Sequence, residues 1–274
     1  MSYKREPIEN RLGESASMQS QTGQQEVKVK GIVFKSGSTK IAVPITGDTT
    51  EKIIQEAHAA VAVKPDVIEW RIDFYRDVFN PSDYLATVNA LRKILGKIVL
   101  LTTFRTSSEG GHRSRKDDQK YFSLISRILR GRLTDVVDIE LNRDKYQVAH
   151  LVQLAHDQRI AVIMSNHEFE QTPPEVEIRS RLEKMKRAGA DIAKIAVMPQ
   201  TPADVLTLLN ATYKAHQRLK LPLITMAMGD LGKVTRISGS IFGSVLSFAA
   251  VGNASTPGQL SVSELRADLE SLKF

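Results

Sequence analysis

The sequence predicts a parallel (β/α)8 barrel, and three observations predict it. Eight short apolar runs alternate with helical patterns beyond residue 40. The runs are apolar on both faces, as strands buried in a parallel sheet are. Polar and charged residues recur at their C-terminal ends, where a barrel gathers its site. A chain of 274 residues suits one such barrel or two ordinary domains. No linker or change of composition divides it after the N-terminal segment. The expected organisation is therefore a disordered polar tail over residues 1–30 and a single barrel over residues 31–274. A doubly wound open sheet is the alternative, but no GxGxxG or Walker loop follows the first barrel strand.

Taken in order, residues 1–30 are rich in Gln, Ser and charge without an apolar period, the composition of a mobile tail. GIVFK at 31–35, SGST and the strand from Lys40 read as a hairpin that could plug the bottom of the barrel. Strands are predicted over 41–46, 67–73, 98–104, 136–141, 160–166, 191–197, 221–228 and 247–251. Helices are predicted over 50–63, 81–95, 119–130, 145–157, 174–188, 202–219 and 262–272. Residues 232–243 carry too little pattern to assign. Pro81, Pro174 and Pro202 stand where helices start, with Asn80, Thr172 and Thr201 as nearby cap candidates.

Composition narrows the function. With no cysteine, neither disulfides nor thiolate metal sites arise. No apolar run reaches membrane-span length and no signal-peptide segment opens the chain, so a soluble, cytoplasmic protein without a membrane partner is expected. The formal charge is +7, yet the basic residues are scattered among nearly as many carboxylates, with no basic stripe interleaved with aromatics. That argues against a nucleic-acid partner and for a small anionic substrate drawn to a cationic pocket.

The run DIAKIAVMP at 191–199 sets a lysine, Lys194, in the middle of a buried strand. There an ammonium must be paired or give up its proton, and a deprotonated lysine is a nucleophile that forms Schiff bases with carbonyls. A lysine that snorkels to water or pairs with a carboxylate is the plainer alternative. Other strands add candidates. In VIEWRID, Glu69 and Arg71 are two apart and share a face, opposite Trp70. In VLLTTFR, Thr103 and Arg105 share parity, and Glu109 follows beside two glycines. VIMSNHE delivers His167 at its end, LITMAMG puts Met226 and Met228 on one face, and Arg236 follows in KVTRISG. Each has an ordinary reading alone, but five strands send a functional residue to the same end.

These motifs, EWRID at 69–73, TFRTSSEGG at 103–111, SNHEF at 165–169, GADIAKIAVMP at 189–199, TMAMG at 225–229 and ASTPGQ at 254–259, come in an order that resembles the type I 3-dehydroquinate dehydratases. The resemblance runs from about residue 41 to 259. It implies a TIM barrel, usually a homodimer, that acts in the shikimate pathway and dehydrates 3-dehydroquinate to 3-dehydroshikimate with neither metal nor cofactor. By similarity, Lys194 forms the imine with the C3 ketone. His167 takes the C2 proton and later protonates the departing hydroxyl, and Glu109 orients it. Arg236 and Ser255 would hold the substrate carboxylate, and Glu69, Arg105 and Gln259 the ring hydroxyls. Arg71 would fix Glu69, and Met226, Met228 and Phe248 would form apolar walls. Two departures stand out: Pro44 on the first barrel strand, where many members carry a small polar residue, and Glu168 after the histidine, where Asp is frequent.

A class I aldolase is the main alternative, since it too places a Schiff-base lysine on the sixth strand; the His167–Glu109 pair and ASTPGQ speak against it. A barrel kept only for binding would be expected to lack a central group, and none is missing. Residues 252–260, GNASTPGQL, are small, polar and poor in apolar anchors, and read as a lid that orders over the ligand.

Overall fold

The computed structural model describes residues 26–112, 118–252 and 258–273. Strands β1 (Val27–Val29) and β2 (Ile32–Phe34) form an antiparallel hairpin. Its two turn residues, Lys30 and Gly31, have φ of 47° and 85°. Two positive φ values in a two-residue loop match the twist of the flanking strands. The hairpin therefore starts earlier than the sequence pattern suggests, and residues 26–30 belong to it rather than to a tail. SGST carries only an isolated bridge between Lys35 and Ser38. Of the tail expected over residues 1–30, residues 1–25 lie outside the described residues.

Eight parallel strands follow, alternating with helices: β3 (Lys40–Ile45), α1 (Thr50–Ala62), β4 (Val67–Arg71), α2 (Pro81–Leu95), β5 (Val99–Thr103), α3 (Asp118–Arg130), β6 (Val136–Glu140), α4 (Lys145–Asp157), β7 (Ala161–His167), α5 (Glu175–Arg187), β8 (Ile192–Val197), α6 (Pro202–Leu219), β9 (Leu223–Ala227), α7 (Lys233–Ile237), α8 (Gly239–Phe242), β10 (Leu246–Phe248) and α9 (Val262–Ser271). Each strand from β3 to β8 pairs with the next, and β10 pairs with β3. The ring nearly closes through the Leu223–Ser244 bridge, where the Val245 N–H donates to the Leu223 carbonyl at 2.8 Å.

Period-two alternation divides the apolar residues between two cores. Ile41, Val43, Ile45, Ile68 and Trp70 point outward under the helices, where Trp70 stacks on Tyr84 of α2 at 5.0 Å between ring centroids. Ala42, Val67, Val99, Leu101, Val136, Ile163, Ile192 and Ile224 fill the barrel interior. Phe34 is buried among these inner residues, with Val27, Val29 and Ile32 against them, so the hairpin plugs the barrel. The apolar filling leaves the other end for polar groups.

Local chemistry sets the helix starts. Asn80 caps α2 by accepting from the Ser82 N–H at 3.1 Å, and Thr201 forms a reciprocal capping box with Asp204 on α6. Thr172 does not cap α5: Pro174 itself occupies the cap position without a side-chain bond. Residues 232–243 form α7 and α8, too short to show a helical period. A Cβ on Gly232 would lie 2.0 Å from the Ala227 carbonyl oxygen. Only glycine allows this approach, which turns the chain back sharply after β9 and carries Arg236 to the barrel mouth. Among the described residues no helix is long and apolar enough to cross a membrane.

Candidate active site

Lys194 sits on β8, pointing into the barrel, 4% exposed. Its ammonium is paired: Nζ lies 3.4 Å from Asp138 Oδ2 and 3.7 Å from Glu69 Oε1. The Phe248 ring covers it at 4.6 Å, a cation–π contact. Glu69 also accepts from Thr103 Oγ1 at 2.8 Å, which confirms the inward parity of both strands. Arg71 shares that face, but its partner differs from the expected one. Its fork grips Asp73 with two bonds of 2.8 Å, leaving Thr103 and Lys194 to hold Glu69.

Arg105 ties the carboxylates together. It lies 2.8 Å from Asp138, 3.1 Å from Glu140 and 3.4 Å from Glu109, and donates to Ser165 Oγ at 2.9 Å. Burial opposes its charge, but Asp138, Glu140, Glu109 and Glu69 outweigh burial and raise its pKa further. Burial likewise works to raise the Asp138 carboxyl; Arg105 and Lys194, with the bond from Ser165, bring it below its ordinary value. The result is a compact set of charges whose costs of burial are offset by mutual pairing.

Glu109 arrives on a single 3-10 turn, Ser107–Glu109. Gly111 has no room for a side chain: an added Cβ would lie 1.9 Å from the Arg105 carbonyl oxygen. Gly110 has φ of 76° and its added Cβ would meet the Phe169 ring at 2.3 Å. The two glycines thus let the loop fold flat against β5 and bring Glu109 Oε2 to 3.0 Å from His167 Nδ1. Burial foremost, reinforced by Glu140 and Asp138, pushes the Glu109 carboxyl up to about 8, against the pull of Arg105 and Asn166. Burial also holds the His167 imidazole well below its ordinary value, aided by Arg105, Lys194 and Arg71. A neutral imidazole is what a general base requires.

These groups line one cavity of about 110 Å³, far below the roughly 300–1,000 Å³ of drug-sized ligand pockets. It suits a small ring. Met226, Met228 and Phe248 supply apolar wall, and Gln259 reaches its rim. Arg236, 2% exposed, closes one side; burial lowers it to about 10, so it remains a cation near neutral pH and matches an anion. The cavity therefore collects every proposed site residue except Ser255. That residue lies outside the described residues, as does most of the expected lid, residues 253–257.

Several residues were not singled out from the sequence. Asp138, Glu140, Ser165 and Asn166 hold the charged groups, Asp73 holds Arg71, and Phe74 and Phe169 line the cavity. Asp138 and Glu140 carried a usable signal, the same one as Lys194: charge at inward parity within an apolar run. Pro44 stands opposite Glu69 in the β3–β4 register but not in the cavity wall, and Glu168 turns away from the cavity to pair with Arg181.

Comparison with known proteins bears on these groups. A family model described as Type I 3-dehydroquinase matches residues 41–273. The 3-dehydroquinate dehydratase of Lactiplantibacillus plantarum is 50% identical over 251 residues, covering 92% of this chain and 99% of its own. That of Klebsiella pneumoniae is 44% identical over 247 residues, covering 90% and 98%. The crystal structure of the type I enzyme from Clostridium difficile, with covalently modified comenic acid, has a TM-score of 0.87 at 40% identity, over 91% of this chain and 98% of that one. The enzyme from Geobacillus kaustophilus gives 0.87 at 38% identity, over 90% and 96%. An aldolase would share only the barrel and its lysine, so these matches decide against that alternative. The chain belongs to the type I 3-dehydroquinase family, a family of hydro-lyases.

Proposed function

We propose that this chain eliminates water from 3-dehydroquinate by way of an imine on Lys194, with His167 carrying the proton. One observation supports this above the others: Lys194, the His167–Glu109 pair and the cationic Arg236 line the same small cavity. Family membership supports the overall dehydration. The covalent adduct in the Clostridium difficile enzyme shows that a relative reacts covalently with a small molecule.

Eliminating water β to a ketone requires removing a proton beside the carbonyl, and an iminium is a better electron sink than the ketone. Lys194, once deprotonated, attacks the C3 ketone carbon, and the carbonyl oxygen leaves as water. Nε2 of His167 then takes the C2 proton, and the electron pair runs into the iminium to give an enamine. The enamine expels the β-hydroxyl, which leaves as water with the proton returned by the imidazolium. Water finally hydrolyses the product iminium and frees the lysine. Glu109 accepts from Nδ1–H throughout and so keeps Nε2 toward the ring. Asp138 and Glu69 serve as counterions to the lysine nitrogen while it is cationic, and Arg236 anchors the substrate carboxylate.

The homodimer implied by the family resemblance is part of this reading, and sedimentation of the purified chain tests it. The reaction is tested by adding 3-dehydroquinate and following the ultraviolet absorbance of the conjugated enone. Absorbance should grow with enzyme concentration; no growth with folded protein would refute the assignment.

A further inference from the structure

Glu109 has a second oxygen, and the groups that hold it lead out of the barrel. Asn166 precedes His167 on β7 and is 2% exposed, with Nδ2 3.4 Å from Glu109 Oε1. On the other side, Asn166 Oδ1 accepts from Arg181 Nη1 at 2.7 Å. Arg181 stands on α5, in the outer layer, where it also donates to Glu168 and, through Nε, to Glu177 at 2.8 Å. A guanidinium has only donors. It therefore draws the amide oxygen toward itself and turns the amide N–H toward Glu109. Reversed, the amide would set its oxygen against Glu109 Oε1 and its NH2 against the Arg181 guanidinium, a repulsive pairing at both ends.

We propose that Asn166 and Arg181 are positioning residues for the dehydration: Arg181 locks the Asn166 amide so that it donates to Glu109 and holds that carboxylate turned to His167. The proposal rests on the reading above, in which His167 moves the proton. The groups that face the pair come from five strands: Arg71 from β4, Arg105 just beyond β5, Asp138 and Glu140 from β6, Asn166 from β7 and Lys194 from β8. Asp138 and Glu140 drive Glu109 toward its neutral form; Arg105 and Asn166 oppose them. Arg105 is divided among Asp138, Glu140 and Ser165 as well. Among the described residues, Asn166 is the donor that serves Oε1.

The experiment compares pH profiles of kcat/KM. Arg181→Met keeps the apolar stem of the side chain but removes the donor. Its acid limb should move to higher pH by about half to one unit, making it roughly three- to tenfold slower near pH 7 and equal to the parent chain at high pH. KM and the yield of borohydride-trapped imine should not change. Asn166→Asp, which replaces the N–H with another acceptor, should move the limb further the same way. Glu177→Gln loosens the outward contact of Arg181 yet leaves Asn166 its donor, and its profile should match the parent. A uniform loss at all pH in Arg181→Met, or a shift as large in Glu177→Gln, would make Arg181 a mere strut and overturn the proposal. Should Arg181→Met fail to fold, an unmoved limb in Asn166→Asp overturns it alone. Absence of an adduct in the parent chain would count against the imine instead, a separate failure.

Discussion

The Glu109 carboxylate and the His167 imidazole meet at 3.0 Å, Oε2 to Nδ1, with both side chains shielded from water. The proton between them decides when the histidine can act. A protonated Glu109 donates to Nδ1 and drives the ring proton onto Nε2, the nitrogen needed by the substrate; an ionised Glu109 accepts from Nδ1–H and leaves Nε2 a base. Since burial foremost pushes Glu109 up to about 8 while His167 lies well below its ordinary value, the carboxyl controls the switch. The kcat/KM should rise as pH increases through neutrality, with its limb near 8 and about tenfold lost per unit below it. A limb at an ordinary histidine value near 6.5 would contradict this.

Replacing His167 with alanine should slow the reaction by about 10²–10⁴-fold, the usual contribution of a positioned proton carrier. The imine should still form. Mass spectrometry of the borohydride-trapped variant should find the undehydrated ring, one water heavier than the product adduct. Turnover at the parent rate would remove His167 from the mechanism.

Arg236→Ala should act on binding. Truncating one partner of a buried charge pair costs enough to raise KM by about 10²-fold, with a smaller effect on kcat. Steady-state kinetics with 3-dehydroquinate checks the split, and an unchanged KM would mean that another group holds the carboxylate.

Gly111→Ala tests the loop that delivers Glu109. The added Cβ would fall 1.9 Å from a backbone oxygen, which cannot swing aside as a side chain could. The loop must shift, lowering stability by about 1–3 kcal/mol and carrying Glu109 away from Nδ1. Turnover should therefore fall further than the melting temperature suggests; parent-like kinetics would show that the close approach is dispensable.

Much of this was legible in the sequence, for identifiable reasons. Strand parity set Glu69, Arg71, Thr103 and Arg105 on one face, and the barrel prediction brought the strand ends together. Parity shows a face but not a partner: Arg71, which the family resemblance implied would fix Glu69, grips Asp73 instead. Asp138 escaped notice although it interrupts VVDIE as Lys194 interrupts DIAKIAV; what neither strand shows by itself is that the two charges meet, at 3.4 Å. The hairpin was misplaced because Lys30 takes a positive φ that its residue type does not announce. Residues 232–243 were unreadable because two helices of five and four residues leave no period to detect.

The most direct test of the account is chemical. Sodium borohydride added with 3-dehydroquinate should reduce the imine and fix mass on one residue, located by peptide mass spectrometry at Lys194. Lys194→Ala should gain no mass and show no turnover. An adduct on another lysine, or turnover with no trappable adduct in the parent chain, would contradict the imine on which the mechanism depends.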